Sequence, residues 1–258
     1  MVADARRADG ADPGACLIMQ ATAGLTTKRI RVASHDGNWF SAYLALPPRL
    51  PAPGIVMVAE IFGVNPPLRM CADDFAGRGY AVLAPDMFWR MERDVELGYD
   101  KESYQRAYAF HKAFDYEIGV RDATSAVEAL RAMPECTGKV GLTGFCLGGT
   151  FAYLAAARCP VEAAAGYYGT RIQNFLADAP KISKPLIQHF GEKDHTTPPE
   201  ILGPVLDAVR HNPNVTSYVY KDAGHAFANP GRPETYIESV ATLAHARTFE
   251  LFNRTLAQ

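Results

Sequence analysis

KVGLTGFCLGGTFAYLAAA, Lys139 to Ala157, carries a short apolar strand into a glycine-flanked cysteine and then into a helical pattern. Within it, Gly144-Phe145-Cys146-Leu147-Gly148 has the form of the G-x-S-x-G nucleophile elbow, with cysteine in place of serine. The glycines permit a sharp strand-to-helix turn, because a larger side chain at either place would collide with neighbouring strands. At the start of a helix, unpaired N–H groups and the helix dipole favour a thiolate. The plainer alternative is a small buried cysteine in a glycine-rich turn. The pentapeptide therefore needs partners before it reads as chemistry.

Outward from this stretch, short runs rich in β-branched and aromatic residues alternate with longer helical patterns. KRIRVAS (28–34) and WFSAYLALP (39–47) read as antiparallel edge strands joined by a turn at Asp36-Gly37. GIVMVAE (54–60) reads as a buried strand, LRMCADDFAGRG (68–79) as a helix closed by glycine, and YAVLAPD (80–86) as another strand. Segment 102–132 holds one or two helices. Further strands are expected at 139–143, 161–169, 185–191 and 216–222, with helices over EILGPVLDAVRH and over 234–253. Strands separated by helices imply parallel pairing through crossovers. The expected fold is α/β, a three-layer α/β/α sandwich with a mostly parallel sheet and an antiparallel N-terminal edge. Residues 1–26 read as a flexible N-terminal extension and 27–258 as a single domain. Sheets of this kind gather their sites at the carboxyl ends of the strands.

Composition narrows the partners. The 258 residues carry 26 Lys plus Arg against 28 Asp plus Glu, with no basic block, so neither nucleic acid nor a membrane surface has an electrostatic footprint. A small-molecule partner is expected. Five cysteines, Cys16, Cys71, Cys136, Cys146 and Cys159, form no CxxC pair, which argues for a reducing compartment, hence a cytoplasmic location. No apolar run approaches the roughly 18 residues of a membrane span. The apolar cluster Cys16 to Met19 behind Arg6-Arg7 is too short for a secretory signal, and twin-arginine export is the weaker reading. Without HExxH, paired cysteines or a glycine-rich phosphate loop, no metal and no cofactor is expected. Nothing in the pattern separates monomer from homo-oligomer.

A thiol nucleophile requires a base, and the base requires an acceptor that fixes its tautomer. His225, in KDAGHAFANP, follows a predicted strand directly; Asp194, in HFGEKDHTTPP, sits in the loop after strand 185–191. The order Cys146, Asp194, His225 is that of α/β-hydrolases. Read plainly, Asp194 is a turn or capping residue and His225 a loop histidine, but each falls after a successive strand. His111 and His245 lie in helical patterns, His35 in the edge hairpin, His211 at a helix end and His189 inside a strand; His195 adjoins Asp194. Glu60 ends an apolar strand, and Arg90, beside Trp89, follows strand 80–86, so a carboxylate there is placed to meet both Arg90 and Cys146.

Together EIFGVN, PDMFWR, GFCLGG, GYYG, GEKDH and GHAFANP resemble the dienelactone hydrolase family, the cysteine-nucleophile α/β-hydrolases also called carboxymethylenebutenolidases, from about residue 28 to the end. The resemblance implies a Cys146-His225-Asp194 triad that hydrolyses a lactone or activated ester through an acyl-enzyme. It implies that Glu60 meets the resting thiol, that the Leu147 and Ile61 N–H groups form the oxyanion hole, and that Arg90 and Tyr167 line the substrate pocket, with Trp89 and Asn229 as further substrate-binding positions. A carboxylate beside a thiol disfavours the thiolate, so Glu60 would protect the nucleophile until an anionic substrate displaced it. One position departs from the family: dienelactone-cleaving members carry arginine four residues after the catalytic histidine, where this chain has Asn229, an amide that lacks the charge-assisted fork of a guanidinium. Arg232 is close in sequence. Segment 91–105 is expected to cover the pocket. A general esterase or thioesterase with little dienelactone activity, or a redox-reactive ligand-binding protein on the same fold, stands as the alternative.

Overall fold

The computed structural model describes residues 24–256. The extension expected over 1–26 falls outside the described residues except for its last three, of which Thr26 already pairs in the first strand.

Eight strands and six α-helices follow in the order β1 (Thr26–Ala33), β2 (Trp39–Leu46), β3 (Ala52–Val58), α1 (Pro66–Gly77), β4 (Ala81–Pro85), α2 (Lys101–Ala113), α3 (Tyr116–Arg131), β5 (Cys136–Phe145), α4 (Leu147–Arg158), β6 (Ala164–Tyr167), a 3₁₀ segment (Ile172–Lys181), β7 (Leu186–Gly191), α5 (Pro199–Val209), β8 (Val215–Tyr220) and α6 (Glu238–Leu256), counted among the described residues. They build one sheet in the order β1-β2-β4-β3-β5-β6-β7-β8. The first two pairings are antiparallel and the remaining five parallel, which is the mixed sheet expected from the alternation of patterns.

The central strands read as continuous apolar runs because both of their faces are covered. Ile55 to Val58 of β3 are fully buried. A Cβ at Gly54 would meet Leu130 of α3, whereas one at Gly141 would meet Phe252 and Leu256 of α6, so the two helices cover opposite faces. Helix α1 joins α6 through Phe75 and Phe249, whose rings lie 4.6 Å apart. Side-chain caps set the helix starts: Asn65 accepts from the Leu68 N–H, Asp100 from Glu102 and Ser103, and Asp115 from Glu117 and Ile118. Asp115 also splits segment 102–132 into its two helices. The 3₁₀ segment after β6 was not legible in the pattern; Pro180 and the kink at Phe175 keep it from the 3.6-residue period.

Candidate active site

Cys146 occupies the turn between β5 and α4 with φ 55° and ψ −110°, a conformation strained for any residue bearing a Cβ. The close approach of backbones explains its glycines. A Cβ at Gly144 would sit 2.3 Å from the Gly148 carbonyl oxygen, and one at Gly148 would sit 2.1 Å from that of Val58. The turn is locked by the Cys146 N–H donating to the Tyr167 carbonyl at 3.0 Å and by Gly148 donating to Ala59 at 3.2 Å. The Cys146 carbonyl in turn accepts from Gly149 at 3.0 Å. Leu147 opens α4, where a first N–H has no intrahelical acceptor. Neither its N–H nor that of Ile61 enters any turn, loop or cap hydrogen bond among the described residues.

His225, from the loop after β8, and Asp194, from the loop after β7, converge on this elbow. His225 Nδ1 lies 2.8 Å from Asp194 Oδ2, with the two side chains 9% and 0% exposed. Burial pulls the His225 pKa down, but the charge of Cys146 and the bond to Asp194 outweigh it and raise the value to about 10. Burial pushes Asp194 up, and the bonds from His225 and Thr196 hold it below the ordinary carboxylate value. Thr196 donates to Asp194 Oδ1 through its N–H at 2.8 Å and its hydroxyl at 2.6 Å, and that hydroxyl lies 3.1 Å from His225 Nδ1. It was absent from the sequence reading, although its offset of two from Asp194 is that of an Asx turn.

Glu60 lies just past β3, buried at 7% exposure. Its carboxylate accepts from the Tyr168 hydroxyl at 3.0 Å and from Asn229 Nδ2 at 3.1 Å. The Asn229 amide also donates to the Tyr99 hydroxyl at 3.0 Å, and Asn65 Nδ2 donates to the same oxygen at 3.2 Å. These groups wall a cavity of about 30 Å³ together with Leu68 and Cys71. The expected meeting of Glu60 with the resting thiol is not among the hydrogen bonds of the described residues: the two carboxylate oxygens accept from Tyr168 and Asn229 instead. Segment 91–105 does close over this corner. Val64 donates to the Val95 carbonyl at 3.2 Å, Leu97 donates to Phe62 at 2.9 Å, and Tyr99 reaches the cavity.

Three expected pocket residues are placed elsewhere. Arg90 donates twice to Asp122 at 2.8 Å, to Asp36 at 2.6 Å and to the Ser34 hydroxyl at 3.0 Å. Trp89 Nε1 donates to the same Asp122 at 2.9 Å. Asp122, on α3, is 2% exposed and needs that positive partner, a demand from a distant helix that no spacing near Arg90 reveals. Tyr167 ends β6 with its hydroxyl 2.9 Å from His245 Nδ1 and 2.7 Å from Thr248 Oγ1 on α6, whereas the next residue, Tyr168, turns to Glu60 and packs edge-on against His225 at 5.1 Å. Successive side chains at a strand end take opposite directions, so the second tyrosine of GYYG belongs to the site and the first to the core.

Three of the other histidines, His111, His189 and His245, are hydrogen-bonded within the fold. His189 lies between the Tyr220 hydroxyl at 2.9 Å and Thr248 Oγ1 at 3.0 Å, and burial keeps it neutral. Burial likewise lowers His111 and His245 to about 4. His195 stacks edge-on 6.1 Å from His225. Among the described residues, no group of three or more His, Cys, Asp or Glu is arranged to hold a metal ion, and no helix is long and apolar enough to cross a membrane.

A mostly parallel sheet with a tight strand-to-helix turn at Cys146, and Asp194 and His225 after its later strands, has the architecture of the α/β-hydrolase class. The dienelactone hydrolase family model matches residues 40–256, and the chain belongs to that family of hydrolases. The chain is 36% identical over 227 residues to the carboxymethylenebutenolidase of Pseudomonas putida, covering 88% of this chain and 96% of that one. It is 34% identical over 223 residues to carboxymethylenebutenolidase 1 of Cupriavidus pinatubonensis, covering 86% and 94%. Among solved structures, a dienelactone hydrolase-like promiscuous phosphotriesterase from metagenomic libraries superposes with a TM-score of 0.77 at 24% identity, covering 90% of this chain and 99% of that one. The dienelactone hydrolase of Anabaena variabilis superposes with a TM-score of 0.67 at 22% identity, covering 90% and 99%. The last two are likenesses of fold.

Proposed function

We propose that the chain is a cysteine-dependent hydrolase of small lactones or carboxylic esters, with Cys146 as nucleophile, His225 as base and Asp194 as its orienting acid. The observation that carries this reading is the buried His225, bonded to Asp194 at 2.8 Å and near enough to the strained elbow cysteine for the charge of Cys146 to raise its pKa. In the first half-reaction the Cys146 sulfur, its proton held by His225, bonds to the substrate carbonyl carbon. The Leu147 and Ile61 N–H groups receive the oxyanion, an interaction worth roughly 3 to 4 kcal/mol per donor in hydrolases. Collapse of the tetrahedral species breaks the carbonyl–oxygen bond, and His225 returns its proton to the leaving alkoxide. In the second half-reaction water gives a proton to His225 and attacks the thioester, releasing the acid and restoring the thiol.

This reading takes residues 27–258 as one catalytic domain, needs neither metal nor cofactor, and takes the reducing setting of the cytoplasm from the free thiols of Cys71, Cys136, Cys146 and Cys159. Asn229 favours a second reading within the same chemistry, a general esterase with little dienelactone activity, because the position bonds to Glu60 through an uncharged amide.

The deciding experiment assays p-nitrophenyl acetate, simple lactones, a dienelactone and a thioester with the wild type, Cys146→Ala and His225→Ala. The expected result is a pre-steady-state burst in the wild type and loss of turnover in both variants. Hydrolysis that survives both substitutions sinks the proposal.

A further inference from the structure

A series of aromatic rings leads outward from the place where the oxyanion N–H of Ile61 is proposed to act. Phe62 follows Ile61 directly, is 2% exposed, and stands between two tyrosines: Tyr99 of segment 91–105, edge-on at 4.8 Å, and Tyr104 of α2, edge-on at 5.0 Å. Tyr104 carries the series on to Tyr108 at 6.2 Å, which is 56% exposed. The chain before Phe62 runs along the elbow, since the Ala59 carbonyl accepts from the Gly148 N–H at 3.2 Å. The aromatic wall therefore connects the neighbourhood of the nucleophile to solvent.

Tyr104 and Tyr108 are an i, i+4 pair on α2, and their contact by itself does no more than support the helix. The rest of the wall comes from other elements and is held in place. The Tyr99 hydroxyl accepts from Asn65 at 3.2 Å and Asn229 at 3.0 Å, and the Arg232 guanidinium lies 5.9 Å from the Tyr99 ring and 5.5 Å from that of Tyr104. Rings already fixed lose little freedom when a ligand packs against them. The charges along this rim are matched to one another, Arg232 to Glu234 at 3.3 Å and Arg106 to Glu92 at 2.8 Å. What the rim offers a substrate is aromatic surface, and such surface prefers a second ring, offset or edge-on, over a saturated group of the same size.

Resting on the triad reading above, we propose that Phe62, Tyr104 and Tyr108 form an aryl subsite, so that the hydrolase favours esters and lactones that carry an aromatic ring beside the scissile bond. Phe62 orders the inner end of the subsite, and the two tyrosines touch the substrate ring. Tyr99 and Arg232 are positioning residues for that wall.

The test uses two matched pairs of esters that differ only in an aromatic against a saturated ring. p-Nitrophenyl phenylacetate and p-nitrophenyl cyclohexylacetate place the ring on the acyl side; benzyl acetate and cyclohexylmethyl acetate, followed by pH-stat, place it on the alcohol side. Because the saturated ring is at least as apolar, burial alone gives the aromatic ester no advantage. In at least one pair the wild type should favour the aromatic ester by about fivefold in kcat/KM. Tyr104→Leu should bring that ratio to about one, Tyr108→Leu should lower it by about twofold, and Tyr104→Phe, which keeps the ring, should preserve it. A wild type that favours the saturated ester in both pairs overturns the inference, as does a Tyr104→Leu variant that slows both members of the pair by the same factor. If Tyr104→Leu does not fold, the wild-type ratios and the exposed Tyr108→Leu decide. Hydrolysis of these esters by Cys146→Ala at the wild-type rate is instead the failure of the triad reading, and the ratios in the tyrosine variants still decide the aryl subsite.

Discussion

Two polar clusters sit toward the carboxyl end of the sheet, and they are built to opposite ends. On the β5-β7-β8 side, Cys146 holds a strained turn, and His225, bonded to Asp194, has its pKa raised by the charge of Cys146. On the β1-β2-β4 side, Arg90, Trp89 and Ser34 surround Asp122, with Asp36 closing the guanidinium's remaining edge. In the second cluster the donors and acceptors are matched to one another, so it has nothing left to offer a substrate. The first is short of partners at the place where a reacting atom would go: the Leu147 and Ile61 N–H groups face no backbone acceptor in a turn, loop or cap. A conspicuous arginine beside a tryptophan marks a binding site only when the fold leaves its charge unspent.

That contrast can be broken from either side. Removing the nucleophile is the largest expected effect: Cys146→Ala should lower kcat by about a million-fold, in line with loss of a triad nucleophile, with a melting temperature close to wild type. Asp194→Asn should come next, with a fall in kcat of about ten-thousandfold as the imidazole loses its tautomer; scanning calorimetry beside the assay separates this from unfolding. The mirror substitution, Asp122→Asn, should do the reverse. Leaving Arg90 without its buried partner should cost about 3 to 5 kcal/mol of stability by denaturant titration, while kcat stays within about threefold. Comparable loss of kcat in the two aspartate variants would erase the distinction between the clusters.

The pH dependence of stability tests the reactive cluster without disabling chemistry as the readout. Because the folded-state pKa of His225 is raised to about 10, its contribution is fully present below the unfolded value near 6.5 and is lost as pH rises through about 10. The melting temperature of the wild type should therefore fall relative to His225→Gln across that window, and an unchanged difference would contradict the shift. The smallest effects separate adjacent residues. Tyr167→Phe should cost about 1 kcal/mol of stability and leave kcat/KM alone, whereas Tyr168→Phe, beside Glu60 and His225, should lower kcat/KM with a similar stability cost. Equal effects on kcat/KM would show that the two hydroxyls do not face different sides of the strand end.

Much of this was legible along the chain. All eight strands could be placed from apolar runs bounded by turn residues, because β-branched runs and glycine-bearing turns are local signals. The residues proposed as the triad were picked out by the same kind of signal: each follows a strand, and a parallel sheet collects such positions at one end. Thr196, Tyr99 and Asn65 escaped notice because their roles are hydrogen bonds to partners that come from other elements or lie hidden in a turn. The 3₁₀ segment escaped because it has no 3.6-residue period to see.

The sequence by itself determined the sheet and the tight turn at Cys146, since these follow from local periodicity and from glycines that only a close backbone approach requires. Only the tertiary structure decided which partners the charged and aromatic residues take. Arg90 went to Asp122, Tyr168 rather than Tyr167 went to Glu60, and Glu60 went to Asn229 rather than to the thiol. The reason is physical: a buried charge is claimed by whatever partner the packing brings within hydrogen-bonding distance, and that partner can lie more than a hundred residues away.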